Sequence, residues 1–292
     1  MKQGRLVGFF IVLIAGICSR SASGAQIPPG AVECVNRVVT FKGQPQPLRA
    51  TFYVLQGDPA GVVVSRLNGE EIARGQLDNA TLRCAQATGV FDLTGDGPEL
   101  VLIGQVGAKT LEAKIFRLED HKLVKIFEWS GWNIKVVRLA DRSVIAVLPL
   151  QYGSLTDLYV WEDGKFREAD DRFSGYYATE IETQRKILNT PQGLPIYEIP
   201  QACYLGARAL VYGKRYGDAK ELCAKAMDVA RREPSLVPSF TQASSQEVTQ
   251  ERTAAEESIH KTLQDIAKAE KQGKTRLPEQ NPQSFRGPFK AN

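Results

Sequence analysis

The chain has only two histidines, His121 and His260, among its 292 residues, and none of its five cysteines stands in a CxxC pair. That scarcity argues against a zinc site built from these ligands. No GxSxG elbow, Walker loop or GxGxxG turn occurs. Nucleophile-elbow hydrolases, P-loop nucleotide enzymes and dinucleotide-binding folds therefore lose their sequence signatures. His121 sits in a turn beside Asp120 and Lys122, and His260 lies near Glu256 and Glu257. Both read as solvated side chains. Asp170 and Asp171 are adjacent, so on a strand they would face opposite ways and could not act as a glycosidase carboxylate pair. Strong charge of one sign is missing too. The formal charge is +4, and Lys2, Arg5 and Arg20 fall in a first segment that holds no acid. Without that segment the chain stands near about +1 and has no electrostatic reason to bind nucleic acid.

Long apolar runs are also few. Leu6 to Ile17 is apolar, but about a dozen residues are too few to span a bilayer comfortably. With Lys2 and Arg5 ahead of it and Ser23-Gly24-Ala25 behind, it reads as an export signal over residues 1–25, cleaved near Ala25. This implies a periplasmic or extracellular protein whose mature chain does not span a membrane. Cys18 follows Ile17, where a lipid-attachment motif wants Gly, Ala or Ser. Cys34, Cys84, Cys203 and Cys223 survive cleavage, and an oxidising compartment makes disulfides their default. Of the three pairings, Cys34–Cys84 and Cys203–Cys223 keep each bond inside one structural region, and they are the expectation.

Residues 26–170 are strand-like. Val62 to Leu67 meets Asn68-Gly69 and returns through Glu70 to Ala73, a two-residue hairpin signal that wants positive φ at both central positions. Lys114 to Leu118 turns at Glu119-Asp120 and returns through Leu123 to Phe127. Leu158 to Trp161 turns at Glu162-Asp163-Gly164 and returns through Lys165 to Arg167. The last two hairpins, and the strands upstream of them (Leu100 to Gly104, Val144 to Leu148), repeat with a period of about 43–46 residues. That period suits propeller blades of three or four strands. The fold class is therefore α+β, with an N-terminal antiparallel β region of two to three blade-like units. Residues 171–199 read as a linker.

From Pro200 the apolar period becomes helical over residues 200–271. Cys203, Gly206, Ala207, Leu210 and Val211 share one helix face, and Ala219, Leu222, Cys223, Ala226, Met227 and Ala230 share the face of a second. Antiparallel, these helices bring Cys203 and Cys223 to similar heights. A third helix begins near Ser244, which has capping-box spacing to Glu247. Residues 272–292 are polar and proline-bearing, and read as a disordered tail.

Residues 91–104 combine an acidic, glycine-rich turn with an apolar strand. Asp92, Thr94, Asp96 and Gly97 match the first, third, fifth and sixth positions of the loop in FG-GAP repeats, the units of integrin-like β-propellers, and the segment resembles that family. The resemblance implies calcium as a candidate ion, held by Asp92, Thr94, Asp96 and Glu99, because hard cations want several oxygens turned inward. Glu99 stands one residue before the family's closing acid, whose place Leu100 takes. The second unit has Arg138, Ala140 and Arg142 where the acids would be. Residues from Cys203 to Ala230, with Ala207, Tyr216, Ala219, Cys223 and Ala226, resemble a single tetratricopeptide repeat. One such repeat cannot bury its own faces, so it must dock on the β region or on the third helix.

Both resemblances imply modules that bind. The expectation is an exported, non-enzymatic interaction or scaffold protein that takes a protein partner through its β region or helical segment and needs no cofactor. A calcium-dependent ligand-binding protein and an extracytoplasmic hydrolase are the alternatives. Trp129, Trp132 and Trp161 are candidate ligand-stacking aromatics at blade edges.

Overall fold

The computed structural model describes residues 27–150, 154–238 and 243–280. The expected export signal, Cys18 and the expected cleavage point near Ala25 lie outside the described residues. The molecule is α+β: three antiparallel sheets come first and four α-helices follow.

Sheet one contains β1 (Val32–Val39), β2 (Leu48–Val54), β3 (Pro59–Ser65) and β4 (Glu71–Ala80) in sequence order. Sheet two contains β5 (Arg83–Cys84), β6 (Gly89–Phe91), β7 (Glu99–Gln105), β8 (Leu111–Glu119) and β9 (Lys122–Gly131); β5 and β6 both pair with β7. Sheet three contains β10 (Asn133–Leu139), β11 (Arg142–Leu148), β12 (Asp157–Glu162) and β13 (Lys165–Glu168), again in sequence order. The expected hairpins close in register, with Leu118 opposite Leu123 and Trp161 opposite Phe166. The Asn68-Gly69 connection differs from its expectation. Only Gly69 takes positive φ, and Ser65 pairs with Glu71, so the loop is longer than two residues.

The sheets stack face to face in chain order. Leu100, Leu102, Phe116 and Leu118 pack on Leu48, Ala50, Phe52, Val62 and Val64 of sheet one. The alternate residues Val101, Ile103, Ala113 and Ile115 pack on Ile134, Ile145, Val147 and Tyr159 of sheet three. Sandwiched on both faces, β7 has no solvent side, which is why it reads as an unbroken apolar run. The second face of sheet three, with Val144, Ala146, Leu158 and Val160, is covered by the helices.

Those helices are α1 (Ala178–Asn189), α2 (Glu198–Tyr212), α3 (Tyr216–Arg232) and α4 (Ser245–Gln272). Helix α1 and a 3-10 turn at Ser174–Tyr177 occupy the stretch expected as a linker. The buried face of α1 offers only Ile181, Gln184 and Leu188, too thin a stripe for its period to stand out. Pro200 falls in the first turn of α2, where a missing N–H costs nothing. Thirteen of the fifteen α2 residues are buried, so α2 is the centre of the helical layer. A Cβ on Gly206 would meet Leu222 Cδ2 at 2.3 Å and Gln184 Cβ at 3.2 Å; the missing side chain is what lets α1 and α3 close on α2. Helix α4 starts with the expected capping box between Ser244 and Glu247 and ends at Gly273 in the left-handed conformation, φ 62°. The tail does not leave at once. Residues 274–280 fold back as an irregular strap in which Leu277 and Gln280 are buried. The rest of the expected disordered tail, residues 281–292, lies outside the described residues.

Both expected disulfides are present. Cys34–Cys84 ties sheet one to sheet two, and Cys203–Cys223 ties α2 to α3. Among the described residues, no helix is long and apolar enough to cross a membrane.

Candidate functional site

Sheet one turns at residues 40–47 and 66–70, sheet two at 92–98 and 120–121, and sheet three at 140–141 and 163–164, all at the same end. These six connections gather at one end of the stack, and the acidic loop of residues 92–98 is one of them. Type I′-like turns make the hairpins tight: Asp120 and His121, and Asp163 and Gly164, take positive φ in adjacent pairs. His121 is thus a turn residue, exposed as expected.

The acidic loop separates two clefts. The first, of about 380 Å³, is bounded by Lys42, Gly43, Asp96, Glu99, Arg117 and Glu119. The second, of about 460 Å³, is bounded by Asp92, Thr94, Arg138, Asp141, Arg142 and Trp161. The arginines replacing the second unit's acids thus face the loop of the first. Arg117 lies over the Trp161 ring, 4.8 Å from its centroid, and also reaches Glu99 at 3.4 Å. It bridges the two clefts.

The four residues proposed for calcium are held as follows. Glu99 is buried and accepts from Leu93 N at 2.8 Å and Thr94 Oγ1 at 2.6 Å. Asp92 accepts from Gly95 N at 2.8 Å, a side-chain bond to the backbone three residues on that shapes the turn. Asp96 turns to Lys42 in the connection between β1 and β2, at 3.2 Å. Each carboxylate has a protein partner, and the structure brings Glu99 to Thr94 while directing Asp96 across the first cleft.

The three tryptophans are apart in role. Trp129 packs between Phe127 and Tyr159, its buried Nε1 without a hydrogen-bond partner. Trp132 lies in the connection between sheets two and three, its backbone N–H donating to Leu148 O at 2.8 Å. Of the three, Trp161 lines a cleft, and it meets Phe166 edge-on.

Two clusters escaped the sequence reading because distant residues build them. Asp78, Glu112 and Glu128 bring carboxylate oxygens within 4.8 Å of one another where sheets one and two meet. Lys114 pairs with Asp78 and Lys125 with Glu128. Glu112 accepts from Asp78 N at 2.7 Å and Asn79 Nδ2 at 2.8 Å. Lys114, foremost among its neighbours, holds the Asp78 carboxyl below its ordinary value. Each carboxylate of the cluster has a protein partner, two of them a lysine and Glu112 neutral N–H donors.

The second cluster joins sheet three to the helices. Asp170 is 1% exposed; it accepts from Leu158 N at 2.9 Å, and Tyr177 and Arg276 both bond to it. Tyr177 sets its hydroxyl between that carboxylate and the Thr156 carbonyl, at 2.7 Å from the latter. Asp157 pairs with Arg208 at 3.1 Å, and Arg208 donates to Tyr212 Oη at 2.8 Å. Burial pushes the Asp157 carboxyl up to about 6, against the pull of Arg208. Burial likewise keeps the Tyr177 and Tyr212 phenols protonated far above their usual range. Asp171 is exposed, facing away from its neighbour.

No protein-family model matches this chain, and no curated protein shows significant similarity to it.

Proposed function

We propose that the chain is an exported, non-enzymatic interaction module that captures a protein partner at the turn end of its sheet stack. The carrying observation is the gathering of six connections from three sheets around loop 92–98, with a cleft on either side. Charged side chains of both signs and Trp161 line these clefts, a composition that recognises a polar protein segment rather than a lipid or a nucleic acid. The helical layer uses its apolar faces on itself and on sheet three, which favours the turn end as the docking surface. In this reading the sheets act as FG-GAP-like units and the tetratricopeptide-like hairpin braces them. The disulfides suit an oxidising compartment outside the cytoplasm.

Quantitative cross-linking in envelope extract tests the proposal. The wild-type chain should enrich a discrete partner, and R138E/R142E should lose about tenfold or more of it. Equal capture by the double variant overturns the assignment of this face. The second reading, calcium-dependent ligand binding, has Asp92, Thr94, Asp96 and Glu99 as its support. It requires a melting temperature that rises in millimolar calcium and does not rise in D92N/D96N.

A further inference from the structure

Arg276-Leu277-Pro278 is held the way a bound peptide is held, not the way a strand or helix is held. The strap leaves α4 at Gly273 and makes no ladder with a sheet. Its backbone is read instead by tyrosine hydroxyls. Tyr216 donates to Lys274 O at 2.7 Å, Tyr204 donates to Pro278 O at 3.1 Å, and Gln280 N donates to Tyr204 Oη at 3.3 Å. Leu277 is 5% exposed. The Arg276 guanidinium bonds to both Asp170 and Glu168 and lies over the Tyr212 ring at 5.9 Å. Two carboxylates and an aromatic face are a fitting socket for a planar, five-donor cation. Asp170 is sealed from water, and without a cation at this position it would keep only Leu158 N and Tyr177 as partners. Arg208 cannot replace Arg276, because it is committed to Asp157 and Tyr212.

We propose that this socket is a recognition site for an arginine-leucine peptide segment of a protein partner, and that the chain's own strap occupies it as an internal ligand. It lies at the other end of sheet three from the clefts, so it stands or falls independently of them. Arg276 keeps about a third of its side chain in solvent (36%), so the occupant can be exchanged without unfolding the helical layer.

The test uses an acetylated peptide of sequence Lys-Thr-Arg-Leu-Pro-Glu-Gln and the full mature chain. R276A/L277A disables the internal ligand and should bind the peptide saturably. Wild type should bind it about tenfold or more weakly, because its binding-competent fraction is small. A peptide with alanine for arginine should bind neither, and D170N in the strap-disabled chain should abolish binding. A folded R276A/L277A that binds no peptide overturns the proposal. The wild-type chain supplies an arm that needs no variant: hydrogen exchange at residues 274–280 should speed up as the peptide is added. Unchanged protection at saturating peptide overturns the proposal whether or not the variant folds.

Discussion

Asp157 shows what burial does to one side chain. Its folded pKa of about 6 lies above the ordinary 3.8, with burial the larger cause and Arg208 acting against it. The folded chain therefore holds a proton there that the unfolded chain has released. Stability from this group is fully present below pH 3.8 and is lost as pH rises through about 6. The loss amounts to about 3 kcal/mol at most. Urea titrations should show D157N with a flatter stability profile than wild type across that window. Gly206 is a second single-residue test. With Leu222 Cδ2 2.3 Å from where a Cβ would stand, G206A should cost about 1–3 kcal/mol by overpacking, read as a shift in urea midpoint with unchanged slope.

At the level of elements, the capping box of α4 is the most exposed to a simple substitution. Ser244 Oγ accepts from Glu247 N at 3.3 Å, while Glu247 accepts from Ser244 N at 2.6 Å. S244A should therefore cost about 1 kcal/mol, measurable by thermal melting followed at the helical band. This cap, the hairpins of β8–β9 and β12–β13, and the Cys203–Cys223 bond were legible in the sequence, because local spacing or local turn chemistry sets each of them; Cys34–Cys84, 50 residues apart, was legible only by keeping each bond inside one structural region. Helix α1 was not, since its buried face has two large apolar residues and a glutamine. The strap was not either. Leu277 is one apolar residue in a polar run, and it joins a core cluster built from sheet three and the helices, far from it in sequence. The same limit hid the Asp157–Arg208 and Asp170–Arg276 pairs, whose partners lie 51 and 106 residues apart. Loop 92–98 announced itself in the sequence, but Lys42, which reaches Asp96 from the β1–β2 connection, and Arg117, which reaches the adjoining Glu99 from β8, did not.

For the whole molecule, the two disulfides act on different layers. By loop closure, the bond spanning 50 residues contributes about 4 kcal/mol and the one spanning 20 about 3 kcal/mol. C34S/C84S should loosen sheet one against sheet two, and C203S/C223S the helical layer. Limited proteolysis should cut the two variants at different places. Removing residues 174–280 would bare Val144, Ala146, Leu158 and Val160, which the helices cover. The truncated chain is expected to aggregate rather than to persist as a free β domain, and light scattering would show it.

Each sheet is drawn from one unbroken stretch of sequence, and the hydrophobic cores join each layer to the next in chain order. Assembly can therefore run in the direction of synthesis. Once the ninth strand has emerged, the first two layers hold everything they need to dock and to oxidise Cys34 with Cys84, while the helical bundle has yet to be made. A nascent chain halted beyond Gly131 should already resist alkylation at those two thiols.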